Sequence, residues 1–219
     1  MKILEFLNGI PNTEDFGIFE TIKVYNEKPL RLKLHYSRMK KSAEELDIGF
    51  IPSYGEFVRH IDNLNLNNKN YLKIIATKRG IFTESGIREI PDKKVKLVLI
   101  KDRFVYSKNT YLLHKTTDYR FLKEITELAK KRNCYDGIIL NEKGNVTQTG
   151  KCNIYFEKQN GEIVTPPLSE GLLPGTIRQI AIKRKLVKED IIPEKDIKNF
   201  KKCFVSNALI GILEADIIF

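Results

Sequence analysis

A glycine-containing turn before a predicted helix is the segment of this sequence best suited to bind a small anion. A strand is predicted to end at Thr165-Pro166-Pro167, and Leu173-Pro174-Gly175-Thr176-Ile177-Arg178 leads into a helix. The first N–H groups of a helix lack partners within it, so those of Gly175, Thr176 and Ile177 face out of its positive end. The segment contains neither G-K-[ST] nor G-x-G-x-x-G, and it is also compatible with an ordinary loop-to-helix junction.

The elements that must position this turn alternate between strands and helices along the chain. Phe19 to Tyr25 alternates like a half-buried strand, and an apolar stripe from Lys33 to about Asp47 predicts a helix that ends near Gly49. The further predicted elements are a helix from Pro52 to about Leu64, strands at 71–77 and 95–100, a helix capped by Asp118 that ends near Arg132, strands at 138–140, 153–156 and 163–164, a helix from Gly175 to about Val187, and strands at 203–206 and 210–213.

A charged connection between Lys101 and Asn109 predicts the boundary between two lobes. We therefore expect an N-terminal α+β lobe at residues 1–105 and a C-terminal α+β lobe at residues 106–219, which would contain both Lys115 and the turn before Thr176.

Composition excludes several classes of protein. The chain has 219 residues, with 38 Lys and Arg against 28 Asp and Glu, which gives a net charge of +10. Three cysteines lie far apart with no C-x-x-C pair, so we expect neither a disulfide framework nor a metal site, and a cytoplasmic location. The opening residues Met1 to Leu7 are too short an apolar run for a signal peptide, and no run is long enough to cross a membrane.

Read in order, the motifs of this chain resemble those of the class IV (fold type IV) family of pyridoxal-phosphate enzymes. The family includes branched-chain and D-amino-acid aminotransferases and 4-amino-4-deoxychorismate lyase. The matching motifs are Gly17-Ile18-Phe19-Glu20-Thr21-Ile22-Lys23-Val24, His35-x-x-Arg38 with Ser42, Lys115-Thr116-Thr117-Asp118-Tyr119, Asn141-x-x-Gly144-x-Val146-Thr147-Gln148, Asn153-Ile154-Tyr155-Phe156, Thr165-Pro166-Pro167 and Leu173-Pro174-Gly175-Thr176-Ile177-Arg178. The resemblance implies a two-lobed α+β fold like that of D-amino-acid aminotransferase, with mixed sheets and helices in both lobes, and pyridoxal 5'-phosphate as the cofactor.

The resemblance also assigns roles to individual residues. Lys115 matches the Schiff-base lysine, whose amine must lose its proton to act as a nucleophile. Arg38 matches the arginine that clamps the cofactor phosphate through its planar fork of donors, and Thr176 and Ile177 would supply N–H groups to the same phosphate. Without the resemblance, Lys115 and Arg38 would be interpreted as a lysine at a strand end and an arginine on a helix surface.

One position departs from the family pattern. Gln148 stands where the family usually has a glutamate that keeps the pyridine nitrogen of the cofactor protonated. An amide can hydrogen-bond that nitrogen, but it supplies no charge to stabilise a pyridinium, so the ring becomes a poorer electron sink. This departure disfavours full transaminase chemistry.

The C-terminal residues indicate a lyase. Asn207-Ala208-Leu209 is similar to the last strand region of aminodeoxychorismate lyases, so Asn207 is a substrate-contact candidate, with a turn asparagine as the alternative. Arg79-Gly80 stands where such lyases place an Arg-Gly pair near the substrate carboxylates.

We therefore expect a lyase that converts 4-amino-4-deoxychorismate, a small anionic substrate, to 4-aminobenzoate and pyruvate for folate synthesis. The resemblance implies a homodimer, and neither nucleic acid nor membrane is an expected partner. The alternatives are an aminotransferase for branched-chain or D-amino acids and, because of the charge of +10 and Gln148, a non-catalytic or nucleic-acid-binding protein on this fold.

Overall fold

The alternating segment around Phe19 forms the central strand of the first of two units. A computed structural model describes residues 16–49 and 51–219. The first unit comprises the described residues up to Glu89 together with Lys115–Asp118, and the second comprises Ile90–His114 and Tyr119–Phe219. The opening residues considered above as a signal peptide lie outside the described part of the chain.

The first unit contains an antiparallel sheet with the strand order β2-β1-β3-β4. Its strands are β1 (Gly17–Tyr25), β2 (Lys28–Pro29), β3 (Tyr71–Thr77) and β4 (Gly80–Gly86). Strand β4 lies between the predicted strands at 71–77 and 95–100, where the sequence pattern predicted no strand. Gly80 has a φ of 125°, which only glycine adopts without strain, and this lets the chain reverse after β3 into a hairpin.

Two helices belong to the first unit, α1 (Leu32–Glu45) and α2 (Tyr54–Asp62). The predicted stripe of α1 is buried, with Tyr36, Met39 and Ala43 packed in one core with residues of β1 and β3. Helix α2 begins with a capping box, in which the side chains of Ser53 and Glu56 each accept from the other residue's backbone N–H.

The second unit contains an eight-stranded sheet with the order β10-β9-β8-β11-β12-β5-β6-β7. Its strands are β5 (Val95–Val105), β6 (Asp136–Asn141), β7 (Val146–Thr149), β8 (Asn153–Glu157), β9 (Ile163–Thr165), β10 (Lys188–Glu189), β11 (Lys202–Asn207) and β12 (Gly211–Ile218), and its helices are α3 (Arg120–Lys130) and α4 (Thr176–Lys183). The pairs β9 with β10, β5 with β12 and β5 with β6 are parallel, and the other pairs are antiparallel.

The division between the units differs from the one expected at residues 105 and 106. The segment from Lys101 to Val105 is not a connection, because β5 continues through it after a register shift between Ile100 and Phe104 and pairs with β6. Since β5 also pairs with β12, residues 90–105 belong to the second unit.

The core of the second unit lies on both faces of this sheet. One cluster includes Leu97, Ile138, Ile154 and Val205, and a second packs α3 against β5 and β6. In the described residues no helix is long and apolar enough to cross a membrane. The same part of the chain contains no group of three or more His, Cys, Asp or Glu side chains placed to hold a metal ion.

Candidate active site

Lys115 lies along the edge of β1 and belongs to the first unit, not to the C-terminal lobe in which the sequence boundary placed it, because its backbone pairs with β1. The Phe19 N–H donates to the Lys115 carbonyl at 2.8 Å, and the Thr117 N–H donates to the Gly17 carbonyl at 2.8 Å. The Gly17 N–H in turn donates to Thr117 Oγ1 at 3.0 Å. These bonds fix the backbone, and the Lys115 ammonium lies 4.1 Å from the centroid of the Phe19 ring. The backbone pairing with β1 thus holds Lys115, the predicted nucleophile, beside the face of the Phe19 ring. The residues next to Lys115 in the sequence do not predict this pairing.

A second amine lies beside the same ring, and the sequence analysis missed it. Lys73 Nζ is 4.7 Å from the Phe19 centroid, and the residue is 5% exposed. Burial lowers the pKa of Lys73 to about 8, although Glu84 opposes this shift and Arg88 adds to it. A sequence signal was present, because Lys73 is a lone charge in β3, whose seven residues are all buried.

Arg38 is held by an acidic side chain on the helix side of β1. Glu20 accepts from Arg38 Nε at 2.7 Å, from Arg38 Nη2 at 2.6 Å and from His35 Nδ1 at 2.6 Å. Burial raises the pKa of Glu20, but Arg38 and His35 outweigh burial and lower this pKa to about 2. Because successive residues of a strand face opposite sides, this cluster and the Phe19 ring with Lys115 lie on opposite faces of the first sheet.

This arrangement changes how Arg38 is interpreted. One edge of its guanidinium already binds a buried carboxylate, so Arg38 has a structural role in the first unit. Its contact with the cofactor phosphate remains a prediction.

In the second unit, two side chains hold the loop before α4. The Leu173 N–H donates to Gln148 Oε1 at 3.0 Å, and Asn153 Nδ2 donates to the Leu173 carbonyl at 2.9 Å. Asn153 also packs tightly against Gly175, where a Cβ would lie 1.9 Å from Asn153 Oδ1. The loop therefore depends on β7 and β8 for its shape and on glycine at position 175.

The N-terminus of α4 has the donors that the sequence analysis predicted, with one correction. The Gly175 N–H donates to the Leu173 carbonyl at 2.9 Å, so the turn itself uses this donor and it does not face an anion. The N–H groups of Thr176 and Ile177 have no acceptor among residues 16–49 and 51–219. Thr176 Oγ1 is buried and also lacks a partner in that part of the chain.

These donors fit a phosphate group. A buried hydroxyl without a hydrogen bond costs about 1–3 kcal/mol, and an anion that accepts from Thr176 Oγ1 would remove that cost. The first N–H groups of α4 add the positive end of a helix dipole. The second unit therefore offers a place where the phosphate of pyridoxal phosphate fits.

Gln148 has a fixed amide orientation in this loop. The backbone N–H of Leu173 can only donate, so the Gln148 oxygen must face it and the Gln148 NH2 group must point elsewhere. Gln148 is 6% exposed and holds Leu173, three residues before Thr176. A ligand that contacts Gln148 on the side away from Leu173 therefore meets a hydrogen-bond donor.

The two predicted substrate contacts lie at or beside turns. Asn207 is the last residue of β11, and its Oδ1 accepts from the N–H groups of Leu209 and Ile210 at 2.9 and 3.1 Å, while Nδ2 lies 3.3 Å from the Lys151 carbonyl and from Cys152 Sγ. The following turn thus uses the oxygen of the Asn207 amide, and the segment between β7 and β8 contacts its nitrogen. Arg79 is exposed in the turn between β3 and β4. Their roles toward a substrate remain predictions.

The chain matches one protein family, and its relatives in that family are named for two different enzyme activities. Residues 17–218 match the family described as amino-transferase class IV. The chain is 27% identical over 178 residues to a Thermotoga maritima protein named probable branched-chain-amino-acid aminotransferase, a match that covers 76% of this chain and 62% of that one. It is 25% identical over 198 residues to the aminodeoxychorismate lyase of Bacillus subtilis, covering 81% and 65% respectively.

Solved structures show the same fold. The branched-chain aminotransferase of Thermoproteus uzoniensis superposes with a TM-score of 0.80 at 22% identity, over 92% of this chain and 78% of that one. The two sequence relatives are longer proteins, and the match spans less than two thirds of each.

Proposed function

Since this chain belongs to the class IV aminotransferase family, whose members depend on pyridoxal phosphate, we propose that it is a lyase that converts 4-amino-4-deoxychorismate to 4-aminobenzoate and pyruvate. We also propose that it works as a homodimer in the cytoplasm and serves folate synthesis. The relative from Bacillus subtilis carries the lyase name, which supports the proposal.

The observation that carries the proposal is the amide at position 148. With its oxygen held by the Leu173 N–H, Gln148 presents only N–H donors to a ring nitrogen, so it favours an unprotonated nitrogen. Transamination depends strongly on electron withdrawal by a protonated ring. Aromatisation of the substrate supplies part of the driving force in the lyase reaction, so a weaker electron sink suffices there.

The residues divide the work of binding and proton transfer. Pyridoxal phosphate supplies an aldehyde that captures amines and a ring that withdraws electrons. Thr176 and Ile177 would hold its phosphate, and Gln148 would donate to its ring nitrogen. The Lys115 amine would anchor the cofactor and, once free, would accept the proton that leaves the substrate ring.

An aminotransferase acting on branched-chain amino acids is the second candidate, because the Thermotoga maritima relative has that name. One assay separates the two. Incubation with aminodeoxychorismate and pyridoxal phosphate should release pyruvate and 4-aminobenzoate in equal amounts without consuming a keto acid, and Lys115→Ala is the negative control. Amino transfer from leucine or D-alanine to 2-oxoglutarate at a comparable rate would overturn the lyase proposal.

A further inference from the structure

Lys73 is a buried amine that the mechanism above does not use. It lies on β3 between Thr21 of β1 and Glu84 of β4. The apolar core of the first unit includes the neighbouring residues Leu72 and Ile74, so Lys73 faces the other side of the sheet. That side carries the Phe19 ring, and Lys73 Nζ and Lys115 Nζ both lie against this ring.

Among the described residues, two charged side chains shift the pKa of Lys73. Glu84 favours its protonated form, but the Glu84 carboxylate also accepts from the Tyr71 hydroxyl. Arg88, stacked 4.0 Å from the Tyr71 ring centroid, disfavours the protonated form, and the Lys115 amine also lies against the Phe19 ring. Because burial is the largest cause of the lowered pKa, the Lys73 ammonium gives up its proton more readily than that of an exposed lysine, as a proton donor requires.

The reaction needs two proton transfers, one from the ring carbon that bears the amine and one to the enolpyruvyl fragment that leaves the adjacent ring carbon. As the ring C–H bond breaks, its proton goes to Lys115 and its electron pair completes the aromatic ring. The adjacent C–O bond breaks with its electron pair leaving on oxygen, and the enolpyruvyl fragment needs one proton to become pyruvate. An amine that is accepting one proton is not yet able to donate the other, so a separate donor allows both events to overlap.

We propose that Lys73 is a second catalytic amine of this site and donates the proton to the departing enolpyruvyl group while Lys115 accepts the ring proton. This inference rests on the proposed lyase function. Lys73 recovers its proton from solvent after pyruvate leaves, so no further reactant is required.

Two substitutions distinguish the proton-donating role of Lys73 from the effect of its positive charge. Lys73→Arg keeps the positive charge but has too high a pKa to donate, and Lys73→Met removes both. We expect kcat for pyruvate release to fall about 100-fold or more in both variants, as for loss of a general acid, with KM in Lys73→Arg changed little. The wild-type rate should fall as the pH rises through about 8, and both variants should lack this alkaline fall.

The control is Lys23→Met, which removes a half-buried lysine from the same face of β1 and should leave kcat unchanged. Urea unfolding and borohydride trapping of pyridoxal phosphate on Lys115 should show that both Lys73 variants fold and load the cofactor. A Lys73→Arg variant with wild-type kcat, or a Lys73→Met variant that raises only KM, would overturn the inference and show that Lys73 binds an anion. A variant that fails to load the cofactor would also overturn it, because Lys73 would then be structural. A wild-type chain that releases no pyruvate would instead overturn the proposed function.

Discussion

Removing the guanidinium of Arg38 tests the buried pair that organises the helix side of the first sheet. Glu20 is 1% exposed, and its carboxylate accepts two hydrogen bonds from Arg38 and one from His35. In Arg38→Ala the carboxylate stays buried and keeps only the bond to His35. Breaking a buried pair by removing one partner typically costs about 3–5 kcal/mol, and we expect the free energy of unfolding at pH 7 to fall by this amount.

The pKa of Glu20 gives an independent measure of the same pair. This pKa is lowered from 4.5 to about 2, and since one pKa unit corresponds to about 1.4 kcal/mol, ionised Glu20 contributes about 3 kcal/mol of stability. Because the folded pKa is the lower one, the contribution is complete above pH 4.5 and is lost as the pH falls towards 2. Arg38→Ala should shrink this acid-dependent loss, since burial then acts against a weaker opposing charge.

Urea unfolding followed by circular dichroism between pH 7 and pH 2 measures both quantities. Lys40→Ala is the matched control on the same helix, because Lys40 forms an exposed pair with Glu44 at 3.8 Å. Such pairs contribute less than about 1 kcal/mol, so this variant should keep wild-type stability and acid dependence. Glu20→Gln should lose the part of the acid dependence that Glu20 contributes between pH 4.5 and 2, while other carboxylates with a lowered pKa, such as that of Glu162, keep theirs.

An Arg38→Ala variant that unfolds at the same urea concentration as the wild type, and loses stability in acid to the same extent, would refute the stabilising pair of Arg38 and Glu20. That result would mean that the guanidinium does not pair with Glu20 in solution. Arg38 would then return to the role implied by the family resemblance, which pyridoxal phosphate affinity at pH 7 would reveal.

Substitutions at three further residues test the candidate site. Lys115→Ala should fold normally, because the neighbouring pairing uses its backbone, and should take up no label when pyridoxal phosphate and borohydride are added; label on another lysine in the wild type would contradict the assignment. Gln148→Glu keeps an acceptor for the Leu173 N–H and adds a charge, so it should shift the absorption of the bound cofactor and raise side transamination with little change in lyase rate. Gln148→Ala leaves that N–H without its acceptor and should weaken cofactor binding about fivefold to tenfold in an absorbance titration. Asn207→Ala removes the acceptor of two turn N–H groups and should lower the free energy of unfolding by about 1–2 kcal/mol; unchanged stability with a raised KM would favour substrate contact instead.

The sequence determined the family, the fold class and most of the elements. The ordered motifs from Gly17 to Arg178 indicated class IV, and the family match and the solved structures confirm both this resemblance and the two-lobed α+β fold. Strands such as β3 and β8 were predicted at nearly their observed bounds, because alternation, β-branched residues and turn signals are local properties of the chain. The hairpin strand β4 was missed because its residues are only half buried and carry a weak apolar pattern.

Only the tertiary structure decided which distant groups meet. Glu20 and Arg38 are 18 residues apart, and Leu173 lies 25 residues from Gln148 and 20 from Asn153. These contacts depend on which strands pair and on how a helix packs against them, and no local pattern encodes that. Strand pairing also explains why residues 90–105 belong to the second unit. The folded loop before α4 places the Gly175 N–H against the Leu173 carbonyl, and the first sheet buries Lys73 beside the Phe19 ring, which Lys115 also faces.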